Sequence, residues 1–223
     1  KQVFATSMKI LFISRAYPPI TGGIENQNFA LSEWLPKHAS VTTLANRGGK
    51  ANLPFFLPRA LFQGLWLFRS HDAILLGDGV LAPLGFVFKL CYPHKVVASV
   101  LHGLDITFAT KQGFLAKMYA SVNIPSLKKL DLLIAVSQET KETARKACIP
   151  QEKCLVINNG IDPEAVLRSS SRAELAGLLG EDLSDKQVIL RTGRYVEHKG
   201  VEWFIRSVVP ALPDNILFVA AGA

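Results

Sequence analysis

Two glycines and a glutamate form the first group of residues that could bind a ligand. Gly22, Gly23 and Glu25 follow an apolar run and precede a helical pattern. Glycines at a strand-to-helix turn let a ligand approach the backbone, and the helix N-terminus presents free N–H groups to a phosphate. The spacing therefore predicts an anion site, with a tight turn that merely needs glycine as the alternative.

A second group combines two cations with a loop that opens a helix. Arg194 and Lys199 lie five residues apart in Thr-Gly-Arg-Tyr-Val-Glu-His-Lys-Gly, residues 192–200. Arginine binds phosphate through two parallel hydrogen bonds, and lysine adds a point charge. A diphosphate is the ligand that this pattern predicts. The alternative is a pair of solvated surface cations.

Two further segments carry polar side chains directly after apolar runs. His102 and Asp105 occur in His-Gly-Leu-Asp, and Asn159 and Gly160 occur in Asn-Gly-Ile-Asp. A histidine beside a glycine and an aspartate can hydrogen-bond or orient a polar substrate, whereas a structural histidine is the alternative. The Asn-Gly segment fits a simple turn equally well.

Several chemistries lack their motifs in this chain. There is no Gly-x-Gly-x-x-Gly, and the second predicted strand ends in Asn46-Arg47 where a ribose-binding acid would stand, which disfavours a nicotinamide-dependent enzyme. The sequence contains no His-Glu-x-x-His motif, so it does not predict a zinc site. Because Asp-x-Asp is also absent, we expect cations and backbone amides to neutralise a bound diphosphate, without a metal ion or a cofactor.

The elements that must position these residues alternate between strand and helix. Apolar runs predict strands at 9–14, 41–45, 72–76, 95–101, 131–136 and 154–157. Helices are predicted between them at 24–35, 58–69, 80–90, 114–122 and 138–147. Ser137 is the predicted N-cap of the last of these helices, and Pro125 is expected to end the helix before it. This alternation predicts an α/β fold with a parallel, Rossmann-like sheet, whose ligands lie at the carboxyl ends of the strands.

Two polar segments, 169–171 and 177–185, look like a cap and a linker, after which the pattern restarts. A strand at 188–191, a helix at 201–212 and a strand at 215–221 are predicted there. We therefore predict two domains, at 8–180 and 186–223, of which the second is an incomplete Rossmann-like domain. We also expect Met8 to be the natural start and Ala223 to mark a truncation.

The charge of the chain is unevenly distributed. Residues 1–150 carry 17 Lys and Arg against 8 Asp and Glu, whereas residues 151–223 carry 8 against 10. A basic first domain predicts an anionic partner, such as a nucleotide, a phosphorylated substrate or a membrane surface, and we do not expect nucleic acid. The aromatic segment 54–68 predicts a helix that either covers the sheet or lies on an anionic bilayer.

Cysteine use and hydropathy indicate the compartment. Cys91, Cys148 and Cys154 show no pairing pattern and fit reduced thiols. No secretory signal occurs, and charged residues, glycines and a proline interrupt the longest apolar stretch. We therefore expect a cytoplasmic protein, at most peripheral at the inner face of the membrane.

In their order and spacing, the motifs resemble those of the retaining glycosyltransferases of family 4, which have the GT-B fold. The matching segments are Pro-Pro-x-x-Gly-Gly-Ile-Glu (18–25), His-Gly-x-Asp (102–105), Leu-Ile-Ala-Val-Ser (133–137), Asn-Gly-Ile-Asp (159–162) and Gly-Arg-x-x-x-x-Lys-Gly (193–200). Each motif is weak alone, whereas the ordered set is specific, and the resemblance extends over residues 8–223.

The resemblance implies transfer of a sugar from a nucleotide-sugar to a carbohydrate or lipid-linked acceptor, with retention of configuration and without metal. It implies that Gly22 and Gly23 lie near the donor diphosphate or the transferred sugar and that His102 faces that sugar. It also implies that Arg194 and Lys199 bind the diphosphate and act on the leaving group. The remaining candidate substrate contacts are Glu25, Asp105, Asn159 and Gly160.

The family's later glutamate motif and its base pocket do not occur before Ala223. We therefore expect the intact parent protein to be the active enzyme and this chain to lack catalysis alone. Two alternatives stay open. One is a GT-B nucleotide-sugar epimerase, and the other is a non-catalytic basic module that binds a membrane surface.

Overall fold

The computed structural model of the chain describes residues 8–109, 112–162, 164, 171–193 and 195–222. Two compact units are present, Lys1–Gly160 and Ile161–Ala223. The domain boundaries at 180 and 186 stay predictions. In the described part of the chain, no helix has the length and apolarity needed to cross a bilayer.

The first unit is built on a parallel six-stranded sheet, as the alternation predicted. Its strands are β1 (Lys9–Ser14), β2 (Ser40–Ala45), β3 (Ala73–Leu76), β4 (Val96–Leu101), β5 (Leu132–Ala135) and β6 (Cys154–Val156). They lie in the order β2-β1-β3-β4-β5-β6, and every neighbouring pair is parallel. Leu11, Phe12 and Ile13 of β1 are fully buried, which explains why this strand is continuously apolar.

Helices cover both faces of this sheet. They are α1 (Gly23–Trp34), α2 (Leu53–Phe68), α3 (Ala82–Cys91), α4 (Leu104–Thr107), α5 (Phe114–Lys129) and α6 (Gln138–Lys146). Successive side chains of β1 enter two separate apolar clusters, with Leu11 and Ile13 in one and Phe12 in the other. This division follows from the alternation of side chains along a strand.

In the first unit, two helix boundaries differ from the predictions by five residues or more, whereas the Ser137 cap is confirmed. Ser137 accepts a hydrogen bond from the Thr140 amide at 3.1 Å and begins α6. The expectation that Pro125 ends a helix at 122 is wrong, because α5 continues to Lys129. Its last turn buries Leu127 in the core, and that burial outweighs the hydrogen bond that proline removes. The helix α2 begins at Leu53, earlier than the predicted residue 58.

The helix α2 closely approaches the neighbouring helix α3. Its buried face includes Gly64, where an added Cβ would lie only 2.5 Å from the ring of Phe88 on α3. At its end, the Lys95 ammonium donates hydrogen bonds to the carbonyls of Arg69 at 2.9 Å and His71 at 2.8 Å. A lysine at this end also matches the negative pole of the helix. The position of α2 is therefore set along its whole length.

In the part of the second unit that the structure describes, two strands form a parallel pair, β7 (Gln187–Thr192) and β8 (Ile216–Ala221). The helices α7 (Arg172–Leu179) and α8 (Val201–Ser207) are described there as well. The predicted cap at 169–171 is found at Ser171, which forms a capping box with Glu174. The linker predicted over 177–185 is wrong at 177–179, because α7 continues to Leu179. The helix predicted over 201–212 ends at Ser207, before a short 3₁₀ turn that contains Pro210.

Candidate active site

The strand order places a crevice between the carboxyl ends of β1 and β3. From β1 the chain passes to β2 on one side and later to β3 on the other, and such a switch point is where open parallel sheets bind ligands. Arg15 directly follows β1, and Asp78 follows β3. The Arg15 Nε donates a hydrogen bond to Asp78 Oδ1 at 3.0 Å and lies 2.9 Å from Oδ2. An ion pair therefore joins the two strand ends.

Burial makes this ion pair sensitive to changes in its charges. The Asp78 side chain is 1% exposed and that of Arg15 is 21% exposed. Burial raises the pKa of Asp78 above its ordinary value, while the Arg15 cation acts in the opposite direction. The negative charge of Asp105 raises this pKa further. Arg15 is therefore the main group that keeps a carboxylate at this buried position charged.

Side chains from three elements hold the loop Gly77-Asp78-Gly79. The His102 Nε2 lies 2.9 Å from the Gly77 carbonyl oxygen. The Gly79 amide donates to Asp105 Oδ2 at 3.0 Å, and the Gly79 carbonyl accepts from Asn123 Nδ2 at 2.8 Å. Hydrogen bonds at three backbone groups fix the loop against β4 and α5.

Asp105 joins the loop after β4 to the loop after β3. Besides the Gly79 amide, its Oδ2 accepts a hydrogen bond from the His102 amide at 3.2 Å. Tyr119 of α5 donates to the Asp105 carbonyl at 3.0 Å. Burial raises the pKa of Tyr119, and the Asp105 charge adds to this effect, so the phenol stays a donor. The structure thus brings together the predicted residues His102 and Asp105.

The hydrogen bond of His102 determines which ring nitrogen faces a ligand. A carbonyl oxygen only accepts, so the Nε2 of His102 must carry the proton that binds Gly77. In the neutral ring, Nδ1 is then left with a lone pair. This nitrogen can accept a hydrogen bond from a hydroxyl group, such as one on a sugar.

We predict that His102 is the Nε2–H tautomer when neutral, and ring ¹⁵N NMR shifts measure this directly. His71 is the internal control, because its Nδ1 lies 2.8 Å from the Leu67 carbonyl and its Nε2 lies 2.8 Å from the Thr42 hydroxyl. His71 should therefore be the opposite, Nδ1–H tautomer. His102→Gln and His71→Gln assign the two signals. An Nδ1–H tautomer at His102 would contradict the bond to Gly77.

The predicted anion site at the start of α1 carries a carboxylate of its own. The Glu25 side chain reaches back over Gly22, onto the position that a Gly22 Cβ would occupy. Around Gly23, no heavy atom lies within 4 Å of an added Cβ, apart from its chain neighbours and the helix backbone. The helix dipole favours an anion at this end. A ligand phosphate could reach these amides only where Glu25 turns away.

The other predicted site residues stand on other elements or outside the described residues. Asn159 and Gly160 are exposed and follow β6, the edge strand of the sheet. Lys199 is exposed at the end of a short 3₁₀ turn in the second unit. Arg194 lies outside the described residues. Among the described residues, no group of three or more His, Cys, Asp or Glu side chains could hold a metal ion.

The sequence analysis missed Arg15, Asp78 and two asparagines of this site. The Asn28 Nδ2 donates to Ser14 Oγ at 2.8 Å, and a Cβ at Gly77 would lie 2.8 Å from its Oδ1. Within the described residues, Asn28 Oδ1 and Asn123 Oδ1 are buried acceptors without a hydrogen-bond partner. One signal was available, since a charged residue between two glycines after a buried strand is unusual. No local sequence pattern indicated that Arg15 pairs with Asp78.

Solved structures with the same fold include enzymes that act on nucleotide-sugars. HepE from Anabaena, in complex with UDP-glucose, matches with a TM-score of 0.71 and 19% identity over 96% of this chain and 60% of that chain. Sucrose-phosphate synthase from Thermosynechococcus elongatus matches with a TM-score of 0.63 and 14% identity, over 96% of this chain and 70% of that chain. UDP-GlcNAc 2-epimerase from Neisseria meningitidis, bound to UDP-GlcNAc, matches with a TM-score of 0.54 and 14% identity, over 97% of this chain and 66% of that chain.

These likenesses confirm the predicted α/β fold of the GT-B type. The chain spans about 60% of the length of HepE. No curated protein matches it significantly in sequence. The model of glycosyltransferase family 4 matches residues 21–165, which is more than half of the chain and includes the cluster around His102 and Asp105. The chain therefore belongs to glycosyltransferase family 4.

Proposed function

We propose that the chain is part of an enzyme that moves a sugar from a nucleotide-sugar to an acceptor, with retention of configuration and without a metal ion. The observation that carries this proposal is the fixed position of His102 at the carboxyl end of β4. Its ring bonds Gly77 through Nε2, so Nδ1 is available to a hydroxyl group. Membership of the family and the UDP-sugars bound to structures of the same fold support the choice of donor.

The proposed roles divide between the two units. His102 would contact the transferred sugar, with Gly22 and Gly23 beside the diphosphate. In the second unit, Lys199 and Arg194 would bind the diphosphate and stabilise the charge that develops on the leaving nucleotide. A fixed cation can do this without a metal, because it lies where the negative charge forms. Asp105 would act through His102 by holding its loop.

The acceptor and the location are also proposals. The excess of basic residues in the first unit supports an anionic acceptor, such as a lipid-linked phosphate, although a soluble carbohydrate would fit the same transfer chemistry. We place the enzyme in the cytoplasm, peripheral to the inner face of the membrane.

A panel of nucleotide-sugars tests the function. The intact parent protein is incubated with each donor and with lipid-linked and soluble acceptors, and nucleotide release and glycosylated product are measured. We expect release to depend on acceptor, the product to keep the donor's anomeric configuration, and a chelator to leave the rate unchanged. Inversion of configuration, or loss of activity with chelator, would overturn the corresponding part of the proposal.

An epimerase is the second candidate, because UDP-GlcNAc 2-epimerase shares the fold with a TM-score of 0.54. The same assay separates the two enzymes. An epimerase converts the donor itself in the absence of acceptor, and a transferase does not. A non-catalytic membrane module would bind lipid and turn over no donor.

A further inference from the structure

The helix α2 has a second face, aromatic and basic in character, which points away from the sheet. Its side chains recur at positions that lie above one another on a helix, and they are Phe55, Arg59, Phe62 and Trp66, followed by Arg69 directly after the helix. We call these five residues the α2 stripe. Phe55, Phe62 and Trp66 are 77%, 71% and 70% exposed. The opposite face packs into the core through Phe56 and Phe68. The residues of the α2 stripe are therefore not needed to cover the sheet.

The chain segment that contains the stripe carries charged side chains of one sign. Residues 34–71 contain five Lys and Arg and no Asp or Glu. Two of these cations, Arg47 and Arg59, line a cavity of about 210 Å³ beside the end of β2, together with the polar Thr43 and Gln63. A cavity with two guanidinium groups and no acid in its lining suits the phosphate of a lipid headgroup.

The apolar surface of the stripe continues into a groove between α2 and α3. This groove has a volume of about 410 Å³, and its lining is entirely apolar, with Leu61 and Phe62 on one side and Val80 and Leu84 on the other. Val80 lies in the turn that directly follows Gly79 of the candidate active site. A hydrocarbon chain in this groove would lie close to that site.

We propose that the α2 stripe and its groove form a docking surface for an anionic lipid bilayer. The aromatic rings of the stripe would enter the membrane–water interface, and Arg59 and Arg69 of the stripe would extend to the lipid phosphate groups. The groove would hold an acyl chain. The negative charges of the lipid headgroups would pair with the cations of this surface. This docking surface would bring the enzyme to the proposed lipid-linked acceptor, and in that respect the inference rests on the proposed function. Membrane binding itself is measured without donor and without sugar transfer.

Vesicle co-sedimentation tests the proposal. The chain is mixed at low salt with vesicles of phosphatidylcholine alone or with phosphatidylglycerol added. We expect binding to the anionic vesicles, weak binding to the neutral ones, and release as salt rises, because charge contacts are screened over about 10 Å at 0.1 M. Phe62→Ser combined with Trp66→Ser should weaken binding at least about tenfold, since apolar burial is lost. Arg59→Glu should weaken it about tenfold.

Two matched variants separate this surface from general effects. Phe114→Ser removes an aromatic ring that is 80% exposed on α5, and Lys129→Glu makes the same charge change as Arg59→Glu at another exposed site. Both should lose much less binding than the stripe variants. Equal loss in the controls, or no preference of the chain for anionic vesicles, would overturn the proposal. Since all five substituted side chains are exposed, melting curves should show that every variant is folded.

Discussion

Replacement of Arg15 by methionine is expected to lower the free energy of unfolding by about 3 kcal/mol near neutral pH. Removing one partner of a buried ion pair leaves an uncompensated charge, which typically costs about 3–5 kcal/mol, and partial exposure of Arg15 favours the lower end. The charge left behind is that of Asp78, whose side chain is 1% exposed. Urea denaturation of the chain at neutral pH measures the loss.

The loss in Arg15→Met should shrink as the pH falls. Burial already raises the pKa of Asp78, and removal of the Arg15 cation takes away the group that opposes this rise. A raised carboxyl pKa makes its contribution to stability most favourable below the ordinary value and unfavourable as pH rises through the folded value. In acid, a neutral Asp78 needs no counter-ion. Denaturation at neutral pH and at about pH 4.5 compares the two conditions.

Two controls define this result. The double variant Arg15→Met with Asp78→Asn removes both charges and should recover much of the lost stability, because no uncompensated charge stays buried and the amide keeps the volume of the carboxylate. Arg145→Met breaks an ion pair with Glu142 that is largely exposed, and it should change stability little. A loss at Arg15 that does not depend on pH would show that packing, and not charge, is responsible.

Replacement of Lys199 by alanine is expected to lower donor turnover by roughly 10²–10³, which corresponds to about 2–4 kcal/mol of lost transition-state stabilisation. The expectation follows from the proposed charge-assisted contact of Lys199 with the leaving diphosphate. Because that charge grows in the transition state, kcat should fall more than KM rises. Initial rates over a range of donor concentrations give both constants.

Lys186→Ala is the matched control for Lys199→Ala. Lys186 lies in the same unit and pairs with Glu181 at 3.0 Å, and its loss should leave turnover unchanged. Arg194→Ala should resemble Lys199→Ala, since both cations are assigned to the same diphosphate. Near-normal turnover in each of these two variants would remove the diphosphate site from residues 192–200.

The sequence predicted the parallel sheet well because its signals are local. A run such as Lys9–Ser14, without alternation, is typical of a strand covered on both faces, and six such runs predicted all six strands of the first sheet. Helix ends were harder, because Pro125 is a local signal that the burial of Leu127 overrides. The serines at 169–171 predicted a cap, which Ser171 forms, but the helix α7 that follows was not predicted.

The candidate site was predictable only in part. His102 and Asp105 stand in one short motif, so their types and position were sufficient. Arg15 and Asp78 are 63 residues apart, and only the strand order brings them together. Asn123 reaches Gly79 from α5 across 44 residues. Contacts of this kind depend on how the elements pack, which no residue pattern within one segment shows.

The close packing of Gly64 on Phe88 also affects what binding to α2 costs. An isolated helix of about 16 residues is only marginally stable in water. A segment that folds on contact therefore loses a large share of its interaction free energy to ordering, often about 2–5 kcal/mol. The helix α2 is already folded, with Gly64 against Phe88 and Lys95 on its final carbonyls. Such preorganisation leaves only side-chain rotamers to be fixed when a partner arrives.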